Sequence, residues 1–116
     1  IVYTGVLAPE AQAAAALAKS GGPGVLAVTS PDRLYSDWRK KGAESHAAKL
    51  LSALNPGTKL VTLIDGHPAT LSWLGGVIGQ RVEALGVENF GQCGTVGDLY
   101  REYGLDAAAI QAAYKE

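Results

Sequence analysis

His67 and Cys93 are the side chains whose type and placement could do chemistry. His67 stands in Asp65-Gly66-His67-Pro68, directly after the apolar run Leu60 to Ile64. Imidazole titrates near neutrality, so a histidine in such a turn can carry a proton or hold an anion. Cys93 stands between Gln92 and Gly94, just before a helix expected to start at Thr95. A helix N-terminus favours a thiolate, and His67 could serve as its base. Neither residue has a catalytic partner at fixed spacing, and no cysteine-enzyme motif surrounds Cys93. No catalytic residue is therefore assigned.

Phosphate chemistry is weighed in the same way. Helix N-termini after strands can cradle an anion. Here Asp32 and Asp65 lie beside two of them and already supply negative charge. Neither GxGxxG nor GxxxxGK[ST] follows any expected strand. A stand-alone α/β module binding a small anion stays open as an alternative. His46 is read as a solvated residue near a helix start. Tyr35, Trp38 and Trp73 are read as core or subunit contacts rather than a base-stacking surface.

The elements that must position these residues follow from pattern and punctuation. Ile1 to Val6 reads as a buried strand ended by Gly5. Pro9 and Glu10 open an alanine-rich helix running to about Lys19, before Gly21-Gly22-Pro23-Gly24. Val25 to Thr29 is a second strand. Ser30 is the expected N-cap of a helix with Pro31 at its first position and Leu34, Tyr35 and Trp38 on one face. Gly42 interrupts it, and a second stretch places Ala47, Leu50, Leu51 and Leu54 on a core-facing stripe. Asn55-Pro56-Gly57 is a turn.

Leu60 to Ile64 is the third strand. Pro68 then starts a helix with Leu71, Leu74 and Ile78 on one face, in which Gly75 and Gly76 imply close approach to the sheet. Arg81 to Val87 is the fourth strand, with Val82, Ala84 and Leu85 inward. Thr95 caps a short helix, with Asp98 at the capping-box position, and Gly104 ends it. Asp106 caps a last helix carrying Ile110 and Ala113. Alternating strands and helices give an α/β fold: a three-layer αβα sandwich on a mostly parallel sheet of four or five strands. Its strand-to-helix turns gather on one edge, the usual ligand or contact side.

Composition narrows the function classes. A chain of 116 residues suits a single domain over residues 1–116, and 47% hydrophobic with 18% charged residues is globular composition. The net charge of −1 and the lone short run Arg39-Lys40-Lys41 leave nucleic-acid binding little footing. No apolar run approaches the roughly 20 residues that span a bilayer, so no membrane partner is expected. A single cysteine excludes an internal disulfide and favours a reducing compartment, the cytoplasm. Met is absent even at position 1, which reads as a piece of a longer chain.

Taken together, Asp65-Gly66-His67-Pro68, the glycine-bearing helix, Leu85 to Gly94 and Asp98 to Asp106 resemble the C-terminal domain of transketolase-like, thiamine-diphosphate-dependent enzymes. Ile1-Val2-Tyr3-Thr4-Gly5 is similar to that domain's early strand and turn. The His-Pro turn and Phe90-Gly91-Gln92-Cys93-Gly94 look closest to homodimeric pyruvate dehydrogenase, with transketolase as the near competitor. The resemblance implies a parent that binds thiamine diphosphate and Mg²⁺ and either decarboxylates a 2-oxo acid or transfers a two-carbon ketol unit. It implies a homodimer, contacts with the parent's other domains, and contacts with further components of a dehydrogenase complex. The last domain then supports dimer assembly and the active-site approach without catalytic residues. His67, Phe90, Gln92, Cys93 and Thr95 become candidates for binding or interdomain contact. Ile64-Asp65-Gly66 and Asn89 imitate the family's Gly-Asp-Gly…Asn cofactor motif. The first glycine is missing, the interval is short and the segment matches the wrong domain, so no cofactor or metal ligand is assigned. The family domain's extra leading strand is absent from the chain.

Overall fold

The structure, a computed structural model, describes residues 1–17, 23–55, 57–88, 99–101 and 103–115, without the side chain of Lys115. Four strands form one sheet: β1 (Val2–Tyr3), β2 (Leu26–Ala27), β3 (Leu60–Leu63) and β4 (Val82–Leu85). Their order is β2-β1-β3-β4, and every pairing is parallel. The expected mostly parallel sheet is thus wholly parallel, and among the described residues it has four strands.

Alternation along β3 builds two cores from one strand. Val61 and Leu63 face α1 (Ala8–Ala16) and the C-terminal helix α6 (Ala107–Lys115), packing with Leu7, Ala11, Ala14 and Ile110. Leu60 and Ile64 point the other way, into a cluster with Val2, Val28, Ala47, Leu51, Leu71 and Leu74. That second layer contains α2 (Pro31–Lys41), α3 (His46–Ser52), α4 (Ala69–Ser72) and α5 (Gly75–Ile78). Helices on both faces of a parallel sheet complete the three-layer αβα sandwich. β3 is buried along its whole length, as expected of a central parallel strand.

Local chemistry explains where elements depart from the sequence reading. The first strand is shorter than Ile1 to Val6. Gly5 adopts φ +74° and turns the chain into a 3₁₀ turn, Gly5–Leu7, that buries Leu7. Ser30 flanks α2, but its hydroxyl makes no capping bond; only its carbonyl serves the helix, accepting from the Leu34 N–H at 3.0 Å. Its ψ of 83° departs from the extended backbone of Ser45 (ψ 159°), whose buried hydroxyl does accept from the Ala48 N–H at 3.2 Å. α2 buries none of its residues fully. Gly42 does interrupt the helical run, at φ +55°. Leu54 leaves the expected stripe and lies on the surface, because α3 ends at Ser52.

The single helix expected after Pro68 is two short pieces. Where the two α-helical pieces join, amides bond three residues back: Leu74 to Leu71, Gly76 to Trp73, and Val77 to Leu74. That tightening at the junction brings 77, instead of 78, onto the face of 71 and 74. Pro68, Leu71 and Leu74 are accordingly buried and Val77 packs on the core, whereas Ile78 is 42% exposed. The tight approach expected of the glycines holds at Gly75, where a Cβ would lie 2.5 Å from Val82 Cγ2. It does not hold at Gly76, which has only Trp38 at 4.0 Å. The inward residues of β4, namely Val82, Ala84 and Leu85, are half-buried because β4 is an edge strand.

The C-terminal helix follows the sequence closely. Gly104, at φ +69°, lets Leu105 N–H bond the Tyr100 carbonyl at 2.6 Å and Gly104 N–H bond the Arg101 carbonyl at 3.2 Å. That pair is a Schellman closure, and it drives Leu105 into the core. Asp106 caps α6 through its carboxylate, which accepts from the Ala109 N–H at 3.0 Å. The Thr95 and Asp98 capping box lies outside the described residues.

Candidate functional site

Because all strands run the same way, their C-terminal ends share one edge of the sheet. β3 lies between β1 and β4, so the turn after it, Asp65–Pro68, is flanked from both sides. Towards β1, Thr4 N–H bonds the Leu63 carbonyl at 3.1 Å, and a Cβ on Gly5 would sit 3.2 Å from Asp65 Oδ1. Towards β4, Val87 N–H bonds the Gly66 carbonyl at 2.7 Å. A Cβ on Gly86 would meet the Gly66 carbonyl oxygen at 2.6 Å and Pro68 Cδ at 2.8 Å. The turn carrying His67 is therefore clamped by a glycine on each neighbouring strand exit.

His67 is exposed at the centre of this clamp. Its Nδ1 accepts a hydrogen bond from the Ala69 N–H at 3.1 Å, and its carbonyl accepts from the Thr70 N–H at 3.0 Å. Pro68 contributes no N–H, so His67 serves the first free donors of α4. With Nδ1 accepting, the proton of the neutral ring resides on Nε2. Phe90, Gln92, Cys93 and Thr95 lie outside the described residues, as does the Cys93 side of the Cys–His pair.

The electrostatics of the edge are acidic. Asp65 is exposed, and Glu10, on the first turn of α1, has its Oε2 enclosed with no hydrogen-bond partner among the described residues. The Tyr100 phenol is pushed up from its ordinary value, first by burial and then by the negative charges of Glu10 and Asp65. These groups would repel an anion arriving at the His67 turn. Glu10, Gly86 and Tyr100 thus belong to the site, although the pattern reading gave them only local roles. Glu10 was visible only as a dipole-matching acid, and Gly86 only as a glycine within an expected strand.

Cationic side chains gather elsewhere. A cleft of about 500 Å³ opens between β2 and the α2–α3 layer, lined by Arg33, Lys41 and Lys49 together with Asp37, Glu44 and His46 among others. Asp37 Oδ2 accepts the His46 N–H at 2.8 Å, and Asp37 Oδ1 pairs with Lys41 at 3.0 Å. These contacts, the His46 bond first, hold the Asp37 carboxyl below its usual range. His46 is exposed near the start of α3, as expected, and its main chain rather than its ring makes this contact. On the same layer Trp38 and Trp73 stack at 5.4 Å, with Tyr35 edge-on to Trp73 at 5.2 Å. The trio is a half-exposed cluster between α2 and α4. Among the described residues, no group of three or more His, Cys, Asp or Glu side chains could hold a metal ion. Nor is any helix among them long and apolar enough to cross a membrane.

No family model matches the chain, and no solved structure matches it. Over 48 residues the chain is 35% identical to a chloroplastic transketolase from Craterostigma plantagineum. That match takes in 41% of this chain and 9% of the length of that protein. Over that stretch the chain is similar to a transketolase, and its described sheet is that of a parallel αβα sandwich.

Proposed function

We propose that the chain is the C-terminal, non-catalytic domain of a thiamine-diphosphate-dependent enzyme. In this reading the clamped edge around His67 faces neighbouring domains of a dimeric parent, near the approach to its active site. The 48-residue similarity to a transketolase carries the proposal. The acidic edge supports it: Asp65 and Glu10 suit contacts with donors on another domain better than contacts with a diphosphate. The residues present do not fit the cofactor either. Among the described residues Asp65 has no cluster of further ligands, and in this reading thiamine diphosphate and Mg²⁺ are held by other domains of the parent.

A pyruvate dehydrogenase parent, decarboxylating a 2-oxo acid within a larger complex, is the narrower proposal. It rests on the His-Pro turn and the Phe90 to Gly94 run. Ketol transfer by a transketolase parent is its rival, and the 48-residue match favours that rival. The cytoplasm is the proposed compartment, from cysteine usage alone. The cationic side of the β2 cleft, Arg33 and Lys49, favours a second reading as a small-anion-binding module.

Calorimetry with thiamine diphosphate and Mg²⁺ tests the main proposal. No saturable heat is expected from this chain, and tight binding by it alone would overturn a non-catalytic role. Saturable binding of inorganic phosphate, lost in Arg33→Ala, would favour the second reading.

A further inference from the structure

The turn after β3 depends on one titratable acceptor. Thr70 and Leu71 donate to the main-chain carbonyls of His67 and Pro68, at 3.0 and 3.3 Å. Ala69 N–H, among the described residues, donates to the His67 Nδ1 lone pair alone, at 3.1 Å. A second proton on the imidazole removes that lone pair and sets one N–H against another. The ring must then leave Ala69. The backbone need not follow it, since the Val87–Gly66 bond and the Gly86–Pro68 contact hold the turn independently.

The charged and titratable groups around this edge would receive the freed cation. Asp65 lies two residues back in the same turn, and Glu10 of α1 and the Tyr100 phenol lie on the same edge. Glu88 follows Val87 at the exit of β4. These described neighbours are acids, and the exposed cation Arg101, next to Tyr100, is already engaged in an interaction of its own. We propose that His67 is a two-position, pH-operated cap. Neutral, it closes the first turn of α4. Protonated, it releases Ala69 and turns its charge towards Asp65, adding a positive group beside that exposed carboxylate. A neighbour docked on this edge would meet a different surface on either side of the transition. The cap itself stands whether or not the edge faces another domain.

The test is a pH titration of the ¹⁵N-labelled chain in which the His67 ring and the Ala69 amide are followed together. The Ala69 amide shift follows the His67 ring with the same midpoint. The Ala69 protection factor, corrected for intrinsic exchange, falls several-fold across it. In His67→Asn the side-chain carbonyl can accept the same N–H without titrating, so the Ala69 amide stays constant. An Ala69 amide that does not move while the wild-type His67 ring titrates overturns the proposal. So does an Ala69 amide that still titrates in His67→Asn.

Discussion

Replacing Gly86 by Ala tests the clamp around the His67 turn most directly. The added methyl would lie 2.6 Å from the Gly66 carbonyl oxygen, 2.8 Å from Pro68 Cδ and 2.8 Å from Pro68 N. All three belong to backbone or a proline ring, so no flexible side-chain end can swing aside. Overpacking a well-fitted site costs roughly 1–3 kcal/mol, and this contact belongs at the upper end. Relief by moving the exit of β4 would lengthen the 2.7 Å Val87–Gly66 bond and add about 1 kcal/mol. A total near 4 kcal/mol corresponds to a melting temperature lower by about 15 °C for a domain of this size. Gly76→Ala is the companion. Its methyl meets only Trp38 at 4.0 Å, and the helix gains up to about 1 kcal/mol from losing a glycine. Thermal unfolding followed by circular dichroism compares the two variants. A Gly86→Ala protein melting within about 3 °C of wild type would refute the reasoning, since a destabilisation of even 1 kcal/mol should exceed that shift.

Two further variants probe the winding after Pro68. Leu71→Ala, at a fully buried position, should cost about 2–5 kcal/mol in urea unfolding, whereas Ile78→Ser should change stability by no more than about 0.5 kcal/mol. A large loss at Ile78 would restore the continuous helix. A second prediction concerns acid. Asp37 is held below its usual range by the His46 N–H and by Lys41, so its contribution is present above the unfolded carboxylate value, about 3.9, and is lost as pH falls through the lower folded value. Asp37→Asn should therefore flatten the stability–pH curve in that acidic window and leave its shape near neutrality unchanged. An unchanged slope between wild type and variant would remove Asp37 from the acid response.

The fold was legible where the sequence is punctuated and periodic. Parallel strands and alternating helices follow from runs such as Leu60 to Ile64, whose residues feed both cores. Gly104 and Asp106 do what their types announce, one closing a helix end and the other opening the next helix. What pattern could not supply was winding and pairing. Leu71, Leu74 and Ile78 fit a 3.6-residue repeat, but the tight junction between two short α-helices turns Ile78 out and Val77 in. Ser30 and Ser45 are the same residue type before a helix, and only backbone angles decide which hydroxyl caps. The aromatic spacing of Tyr35 and Trp38 implied a common face, but Trp73 completes the trio from a segment 35 residues further on.

Strand order decides what the candidate site can be. His67 and a run of helix starts suggest an anion edge when read by residue type. The order β2-β1-β3-β4 instead sets Asp65 against Gly5, and Glu10 and Asp65 both act on Tyr100. The acids thus gather where the helix N-termini might have welcomed phosphate, while Arg33 and Lys49 line the cleft beside β2. Separating the signs in this way gives the two regions different partners. The β3 edge suits donors and cations, and its histidine spends its acceptor on Ala69 rather than on a substrate proton. Of these two regions, the β2 cleft suits an anionic ligand better: Asp37 there is already engaged by Lys41 and the His46 amide, which leaves Arg33 and Lys49 beside Glu44.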